Sequence, residues 1–208
     1  MSEIKAPILR DLPAELTGER VVVRPFRAGD GAALYEAIQE SLEHIKPWLP
    51  FGPSHKCPDD SEEYVRSAAA RWITRKDMPA AVFDIATGRF LGATGLHRID
   101  WETPSFEIGY WLRKTAVGHG YMTEAVWLLC EVCFTTLGAQ RVEIYAGTGN
   151  TASAAVARRL GFECEGVMRN TKRITTGELI DMYIFSMIPQ EFERLRLERQ
   201  PHAAHAHP

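Results

Sequence analysis

The sequence contains little cysteine: four residues, Cys57, Cys130, Cys133 and Cys164, are scattered over 208 positions. So few and so dispersed thiols exclude the disulfide framework of a small secreted domain. Cys130 and Cys133 form a C-x-x-C pair, but they lie within an apolar helical pattern. We therefore predict that both thiols fill the core and neither bind a metal nor do redox chemistry.

Long hydrophobic runs and an excess of positive charge are also missing. No apolar stretch approaches the roughly 20 residues of a membrane-spanning helix, and the first 16 residues show neither the apolar segment nor the cleavage site of a secretion signal. The formal net charge of -3 gives no basic surface for nucleic acid. We therefore expect a cytoplasmic protein that binds neither membranes nor nucleic acid.

What is present is the composition of an ordinary globular domain, with 45% hydrophobic and 25% charged residues. The length predicts one core. We expect an N-terminal extension over residues 1–17, a single domain over 18–190 and a flexible C-terminal tail over 191–208. The tail carries three histidines among alanines, which we interpret as a solvated terminus and not as a metal site.

Hydrophobic periodicity predicts a mixed α/β (α+β) fold with a central sheet of about seven strands and helices on both faces. Strand patterns occupy residues 20–26, 80–86, 89–97, 105–112, 141–146, 162–168 and 179–188. Helical patterns occupy residues 30–42, 59–76, 120–137 and 150–160. An antiparallel meander is expected to lead into strand-helix-strand units, which favour parallel neighbours.

The most informative stretch is a glycine loop, Val117-Gly118-His119-Gly120, which leads out of a strand pattern into a long helix. Glycines at this place let successive backbone N–H groups turn toward a ligand, and the helix dipole adds partial positive charge. The loop predicts a phosphate site. It is neither a Rossmann loop, because Thr123 occupies the third glycine position, nor a Walker loop, because Gly-Lys-Ser/Thr is missing.

Several motifs in order along the chain carry a family resemblance. They read FEIGYWL at 106–112, GHGYMTEA at 118–125, NTAS at 150–153 and LGF at 160–162. Together they resemble the GNAT N-acetyltransferases, in particular the RimJ/RimL-type branch that acetylates ribosomal proteins. The resemblance covers some 170 residues, and it implies the GNAT fold with acetyl-coenzyme A as the donor and no metal.

The resemblance also implies where the coenzyme lies. Its pyrophosphate is expected on the backbone of residues 117–123, and its pantetheine arm between the strands 105–112 and 141–146. The implied coenzyme contacts are Tyr110, Leu112, Val117, Gly118, His119, Gly120, Tyr121, Met122, Thr123, Asn150 and Ser153. Thr115 stands where the family has Gln or Arg, so one side-chain contact is expected to be missing and binding to rest on the backbone.

Glu107 is the candidate base for the acceptor amine, because a carboxylate interrupts an otherwise apolar strand. Burial of such a group favours a raised pKa, closer to what a base near neutrality needs. The alternative is a buried ion pair, with Arg98 or His97, that only fixes the strand. His97 itself is a second candidate base and a candidate contact of the acceptor. The alternative is that His97 has a structural role or is exposed to solvent.

Ser153 is the candidate acid for the departing thiolate, and Asn150 an expected contact of the coenzyme arm. Both residues also suit a plainer role, because Asn is among the best helix N-caps and Ser153 falls in the first turn. Many GNAT enzymes place a Tyr acid seven residues after this Asn, where the chain has Ala157. Ser153, Tyr145 or water must then protonate the thiolate.

The sequence indicates the acceptor-binding residues less clearly than the coenzyme-binding ones. Trp48 and Phe51 lie in a proline-rich loop where the resembling branch builds the wall that faces the amine, although aromatic residues there suit a core equally well. The acceptor is either a protein N-terminus or a small amine or peptide. The alternative function is a coenzyme A-binding protein that has lost catalysis. The sequence gives no indication of the oligomeric state.

Overall fold

The computed structural model describes residues 6–49 and 52–199, which form a mixed sheet covered by helices on both faces. The strands are β1 Leu16–Thr17, β2 Val21–Pro25, β3 Met78–Asp84, β4 Phe90–Asp100, β5 Ser105–Leu112, β6 Arg141–Gly147, β7 Glu163–Arg173 and β8 Leu179–Met187. The helices are α1 Gly31–Ile45, α2 Pro58–Thr74, α3 Tyr121–Thr135, α4 Thr151–Leu160 and α5 Pro189–Arg199.

The eight strands are ordered β1-β2-β3-β4-β5-β6-β8-β7. Strands β1 to β5 run antiparallel in chain order, as the meander predicted, and α3 then carries the chain across to β6, which is parallel to β5. The second expected parallel pair is wrong. Strand β8 inserts between β6 and β7 and pairs antiparallel with both, so α4 connects strands that are not neighbours.

Alternation along the strands separates two apolar layers. On β5, Phe106 and Ile108 join the cluster formed with α3, α4 and α5, whereas Trp111 joins the cluster beneath α1 and α2. This two-residue period is the pattern of a sheet covered on both faces. The expected helices on both faces are confirmed.

The folded part extends further than the sequence predicts at both ends. The eighth strand is the short β1, which falls inside the expected N-terminal extension and pairs with β2. Residues 191–199, expected in a flexible tail, belong to α5, and Phe192 is fully buried against α3. The stacked ring of Phe134, 4.7 Å away between centroids, fixes this helix. The three tail histidines lie outside the described residues.

The C-x-x-C pair fills the core as predicted. Cys130 and Cys133 lie on α3 and are fully buried, and burial raises the pKa of both thiols well above the ordinary value. Within residues 6–49 and 52–199 no group of three or more acidic, histidine or cysteine side chains could hold a metal ion. No helix in those ranges is long and apolar enough to cross a membrane.

Candidate active site

The sheet opens between β5 and β6. These parallel strands pair only from Ser105 and Arg141 to Glu107 and Glu143, and beyond that point they separate. The direction of the backbone groups of β5 follows from its opposite edge, where the N–H of Arg113, the residue after β5, donates to the carbonyl of Leu91 in β4. Because backbone groups alternate sides along a strand, the N–H groups of Tyr110 and Leu112 face the gap.

A cleft of about 320 Å³ runs through this gap. Its walls come from β5, β6, the glycine loop, the first turns of α3 and α4, the end of α1 and the β7–β8 pair. The lining includes Trp48, Glu107, Tyr110, Leu112, Val117, Gly118, Gly120, Met122, Thr123, Tyr145, Asn150, Ser153, Lys172, Ile180 and Met182. Most of the residues that the sequence nominates therefore meet in one place.

The glycine loop forms one end of the cleft in the conformation that its glycines predict. Gly118 and Gly120 have φ angles of 87° and 82°, in the left-handed region that other residues adopt only with strain. Arg20 donates from Nη1 to the carbonyl of His119 at 2.8 Å. In a trans peptide the next N–H points the opposite way, so this contact turns the N–H of Gly120 away from Arg20.

Two nominated members of this loop do not line the cleft with their side chains. The hydroxyl of Tyr121 donates to Asp84 at 3.2 Å, and the ring of His119 lies 6.0 Å from that of Tyr121, between centroids. Neither residue is part of the cleft wall, so only backbone contacts to a ligand are open to them.

A polar network behind the loop joins it to α1. Arg113, whose side chain is 2% exposed, donates to Glu36 at 2.7 Å and to Glu40 at 2.6 Å. Glu40 also accepts from the hydroxyl of Thr115 at 2.6 Å. Thr115 therefore points toward α1 and not into the cleft. Burial acts to raise the pKa of Glu40, yet the hydrogen bonds from Thr115 and Arg113 hold it below the ordinary value.

Two hydroxyl groups meet at the centre of the cleft. Tyr110 donates to the carbonyl of Ser153 at 2.9 Å, and the hydroxyl of Ser153 donates to the phenol oxygen of Tyr110 at 3.3 Å. Burial raises the pKa of Tyr110 to about 12, so its phenol stays protonated at neutral pH. Asn150 caps α4 by accepting the N–H of Ser153 at 3.1 Å, as its residue type predicts.

Glu107 lies at the other end of the cleft, on the sheet face that also carries α1 and α2. Arg98 approaches it, with Nε 3.2 Å from Oε2, so the predicted ion pair exists. The Arg98 side chain is 76% exposed, however, and the same Oε2 atom is buried and accepts no hydrogen bond from the described residues. The carboxylate therefore keeps a free acceptor position.

His97 does not reach the cleft, contrary to the expectation of a second base and acceptor contact. Its Nδ1 donates to Asp77 at 2.5 Å, and its ring packs over Gly109 of β5 without forming part of the cleft wall. Burial acts to raise the pKa of Asp77, but the hydrogen bond from His97 and the charges of His97 and Arg71 hold it low. The pair ties β4 to the segment before β3.

Of the two nominated aromatic residues, Trp48 lines the cleft, whereas Phe51 lies outside the described residues. A Cβ at Gly147 would lie 3.1 Å from Cζ3 of Trp48, so the indole packs directly on the end of β6. The β7–β8 hairpin closes the same side, since Thr175 donates to the carbonyl of Lys46 at 2.9 Å.

Sequence reasoning did not find Lys172, Ile180 or Met182, which form the floor at this end of the cleft. The predicted strand over 162–168 stops before Lys172, because charged residues interrupt its apolar pattern. The structure continues β7 to Arg173. The one sequence signal that could have indicated Lys172 is its position between two strand patterns.

The site thus combines an anion cradle, an inward backbone donor, a carboxylate and a hydroxyl pair along one cleft. A model of the acetyltransferase (GNAT) domain matches residues 20–163, which is well over half of the chain. The chain belongs to the GNAT acetyltransferase family. GNAT members transfer an acetyl group from acetyl-coenzyme A to an amine.

Relatives within the GNAT family point to the same branch as the sequence motifs. YdaF of Bacillus subtilis strain 168, named as a ribosomal N-acetyltransferase, is 29% identical over 84% of this chain and 94% of its own length. YjcK of the same organism, named as a probable N-acetyltransferase, is 33% identical over 76% of this chain and 89% of its own. The RimJ/RimL-type resemblance is confirmed.

A solved GNAT structure shares the fold. RimL, a ribosomal-protein α-N-acetyltransferase crystallised with coenzyme A, superimposes with a TM-score of 0.78. The match covers 84% of this chain and 97% of RimL, at 19% sequence identity. The expected GNAT fold is therefore confirmed.

Proposed function

We propose that this GNAT enzyme acetylates a primary amine by direct transfer from acetyl-coenzyme A. One observation carries the proposal. The gap between β5 and β6 has the glycine cradle at one end and the carboxylate of Glu107 at the other, with the N–H of Leu112 between them. A donor lying in this gap would meet an acceptor amine that enters from the opposite face of the sheet.

The donor fits the groups that the cleft presents. The backbone around Gly118 and Gly120, at the N-terminus of α3, suits a pyrophosphate, because free N–H groups and the helix dipole both favour an anion. The coenzyme arm would then pass Asn150 and run along the unpaired edge of β5 toward Leu112. That RimL was crystallised with coenzyme A supports this assignment.

The reaction needs few groups because a thioester is already activated. The neutral amine attacks the acetyl carbonyl carbon, and the N–H of Leu112 stabilises the oxyanion that forms. Glu107 accepts the proton that the amine nitrogen loses, directly or through water. The C–S bond then breaks, and the hydroxyl of Ser153, held in place by Tyr110, relays a proton from water to the thiolate. The proton that Glu107 accepted leaves to water, so both groups return to their starting forms.

The acceptor is proposed to be an α-amino group at the N-terminus of a protein or peptide. The name of YdaF, a ribosomal N-acetyltransferase, supports this class. An α-amino group has a pKa of roughly 8, so an appreciable fraction is neutral at pH 7. A small amine is the second candidate, because the contact between Thr175 and Lys46 narrows the acceptor end.

A thiol-release assay over an acceptor panel tests the proposal. The panel contains short peptides with free and with blocked N-termini, a free amino acid and simple alkyl amines. We expect release of coenzyme A with free peptide N-termini and none with the blocked ones. Release with small amines alone would favour the second candidate, and tight coenzyme binding without any release would show a degenerate enzyme.

Replacing Gly118 by alanine should weaken coenzyme A binding about five- to tenfold. An L-residue at this φ of 87° is strained by about 1 kcal/mol, so the loop would relax and turn its N–H groups away from the phosphates. The dissociation constant can be measured by calorimetry.

Gly138→Ala is the matched control. Its φ is 71° and, as at Gly118, no atom lies within 4 Å of an added Cβ, but it follows the opposite end of α3. Both variants should lose similar stability, whereas only Gly118→Ala should bind the coenzyme less tightly. Equal affinities in the two variants would contradict the cradle.

A further inference from the structure

The acceptor end of the cleft contains a lysine that the reaction above does not use. Lys172 lies on β7 opposite Ile180 of β8, and both residues line the cleft. The Lys172 ammonium group is half-buried, and none of the described side chains forms a hydrogen bond or ion pair with it. Burial lowers its pKa, although the charge of Glu107 acts against this shift.

Arg98 adds a second cation at the same end. Its φ angle is 44°, a left-handed conformation that is unfavourable for a residue with a side chain. This turn directs the guanidinium to Glu107 and over the ring of Tyr145, 5.5 Å from the centroid. Most of the guanidinium remains open to solvent, so it can hold a second anion.

The carboxylates nearby do not balance these cations. Within residues 6–49 and 52–199, Glu107 is the one carboxylate in the cleft wall. Glu143, next to it in the sheet, binds Arg141 at 2.7 Å, and Asp181 on β8 accepts the N–H of Asn170 at 2.8 Å. Glu107 forms its ion pair with Arg98, and none of the described carboxylates lies within ion-pair distance of Lys172.

We propose that the acceptor carries a carboxylate close to its amine and that Lys172, assisted by Arg98, binds it. A charged lysine that is half-buried without a partner is costly, and an anion beside it offsets that cost. The same two cations repel a second positive charge, so acceptors with a lysine or arginine beside the amine are disfavoured. This inference rests on the proposed acetyl transfer.

Two sources supply this chemistry. One is a peptide N-terminus with an acidic second residue, and the other is a free amino acid, whose own α-carboxylate is bonded directly to the nitrogen-bearing carbon. In either case Glu107 contacts the amine and Lys172 contacts the carboxylate, which fixes the nitrogen for attack.

The test compares three peptides that begin with Ala-Glu, Ala-Gln or Ala-Lys and continue with the same neutral, amidated sequence. Free alanine and alanine amide are compared in the same assay. We expect kcat/KM from thiol release to fall in the order Glu, Gln, Lys, with at least a tenfold step between Glu and Gln. A higher kcat/KM for free alanine than for alanine amide would identify a free amino acid as the source of the carboxylate. A preference for Glu over Gln that is seen only in the peptides would identify a peptide N-terminus.

Lys172→Met should lower the ratio of kcat/KM for the Glu peptide to that for the Gln peptide at least tenfold, mainly through a higher KM for the Glu peptide. Lys172→Arg should keep the preference. Lys76→Met, which removes an exposed lysine after α2, is the matched control and should change nothing.

Equal rates with the Glu and Gln peptides together with equal rates for alanine and its amide, or a preference that survives in Lys172→Met, would overturn the inference while leaving acetyl transfer intact. If no member of the panel releases thiol, the inference fails together with the amine acceptor, and a calorimetric titration with coenzyme A then shows whether the donor assignment still holds.

Discussion

Glu107→Gln is expected to lower kcat/KM at pH 7 by about 100-fold or more, because proton transfer by a positioned side chain typically contributes that much. The amide is isosteric, so the packing of β5 should persist, but it cannot take a proton from the amine. Coenzyme A should bind with unchanged affinity, since the cradle lies at the other end of the cleft. Thiol release and calorimetry measure the two quantities.

The contact with Arg98 makes a structural role the competing interpretation. If Glu107 only fixed β5 through that ion pair, Glu107→Gln would lower the stability of the protein and leave the rate of acetyl transfer unchanged. An exposed pair of this kind contributes at most about 1 kcal/mol, so we expect a small change in the free energy of unfolding. Glu143→Gln is the matched control, because Glu143 pairs with Glu107 across the sheet but does not line the cleft.

A fall in rate of equal size in Glu143→Gln would show that the local charge balance matters and not the base. A Glu107→Gln enzyme with wild-type turnover on several acceptors would exclude the carboxylate as the proton acceptor. Water or the acceptor's own solvent contacts would then have to take the proton.

Glu40→Ala is expected to lower the free energy of unfolding by about 2–3 kcal/mol, which corresponds to a fall in Tm of about 4–12 °C for a protein of this size. The change leaves the buried guanidinium of Arg113 with one carboxylate, Glu36, whose side chain is 71% exposed. It also removes the acceptor of the Thr115 hydroxyl. Thermal and chemical denaturation measure the loss.

The same substitution should weaken coenzyme A binding, because residues 113–116 lead directly into the glycine loop. Glu36→Ala is the matched control: it lies one turn away on the same helix and contacts the same arginine, but it does not hold Thr115. We expect it to cost under 1 kcal/mol and to leave coenzyme affinity unchanged. Equal losses in both variants would show that the network only neutralises Arg113.

The effect of Glu40 also has a defined pH dependence. Its pKa is lower in the folded protein than in the unfolded chain, so its contribution is present above the ordinary carboxyl pKa and is lost as the pH falls through the folded value. The difference in stability between wild type and Glu40→Ala should therefore be constant near neutrality and shrink below about pH 4.5.

The sequence predicted the parts of this protein that local patterns encode. The glycine loop, the cap at Asn150, the core position of Cys130 and the strand 105–112 depend on residues close in the chain, because turn conformation, capping and periodicity act over a few positions. The family resemblance added the donor and an expectation of where it binds.

Contacts between distant segments were not predictable in the same way. His97 is hydrogen-bonded to Asp77, 20 residues earlier, and Arg113 is neutralised by Glu36 and Glu40 on a helix more than 70 residues before it. Lys172 reaches the cleft because the β7–β8 hairpin extends to the end of α1, where Thr175 donates to the carbonyl of Lys46. None of these contacts can be predicted from the residues that are close to each other in the sequence.

The family, most of the helices and strands and the conformation of the glycine loop were thus readable from the sequence, since backbone conformation at glycines and apolar periodicity are local properties. Only the tertiary structure shows which charged groups line the cleft. The strand gap beside Glu107 and the unpaired ammonium of Lys172 arise from strand order and from the reach of the β7–β8 hairpin, and both are set by packing the whole sheet.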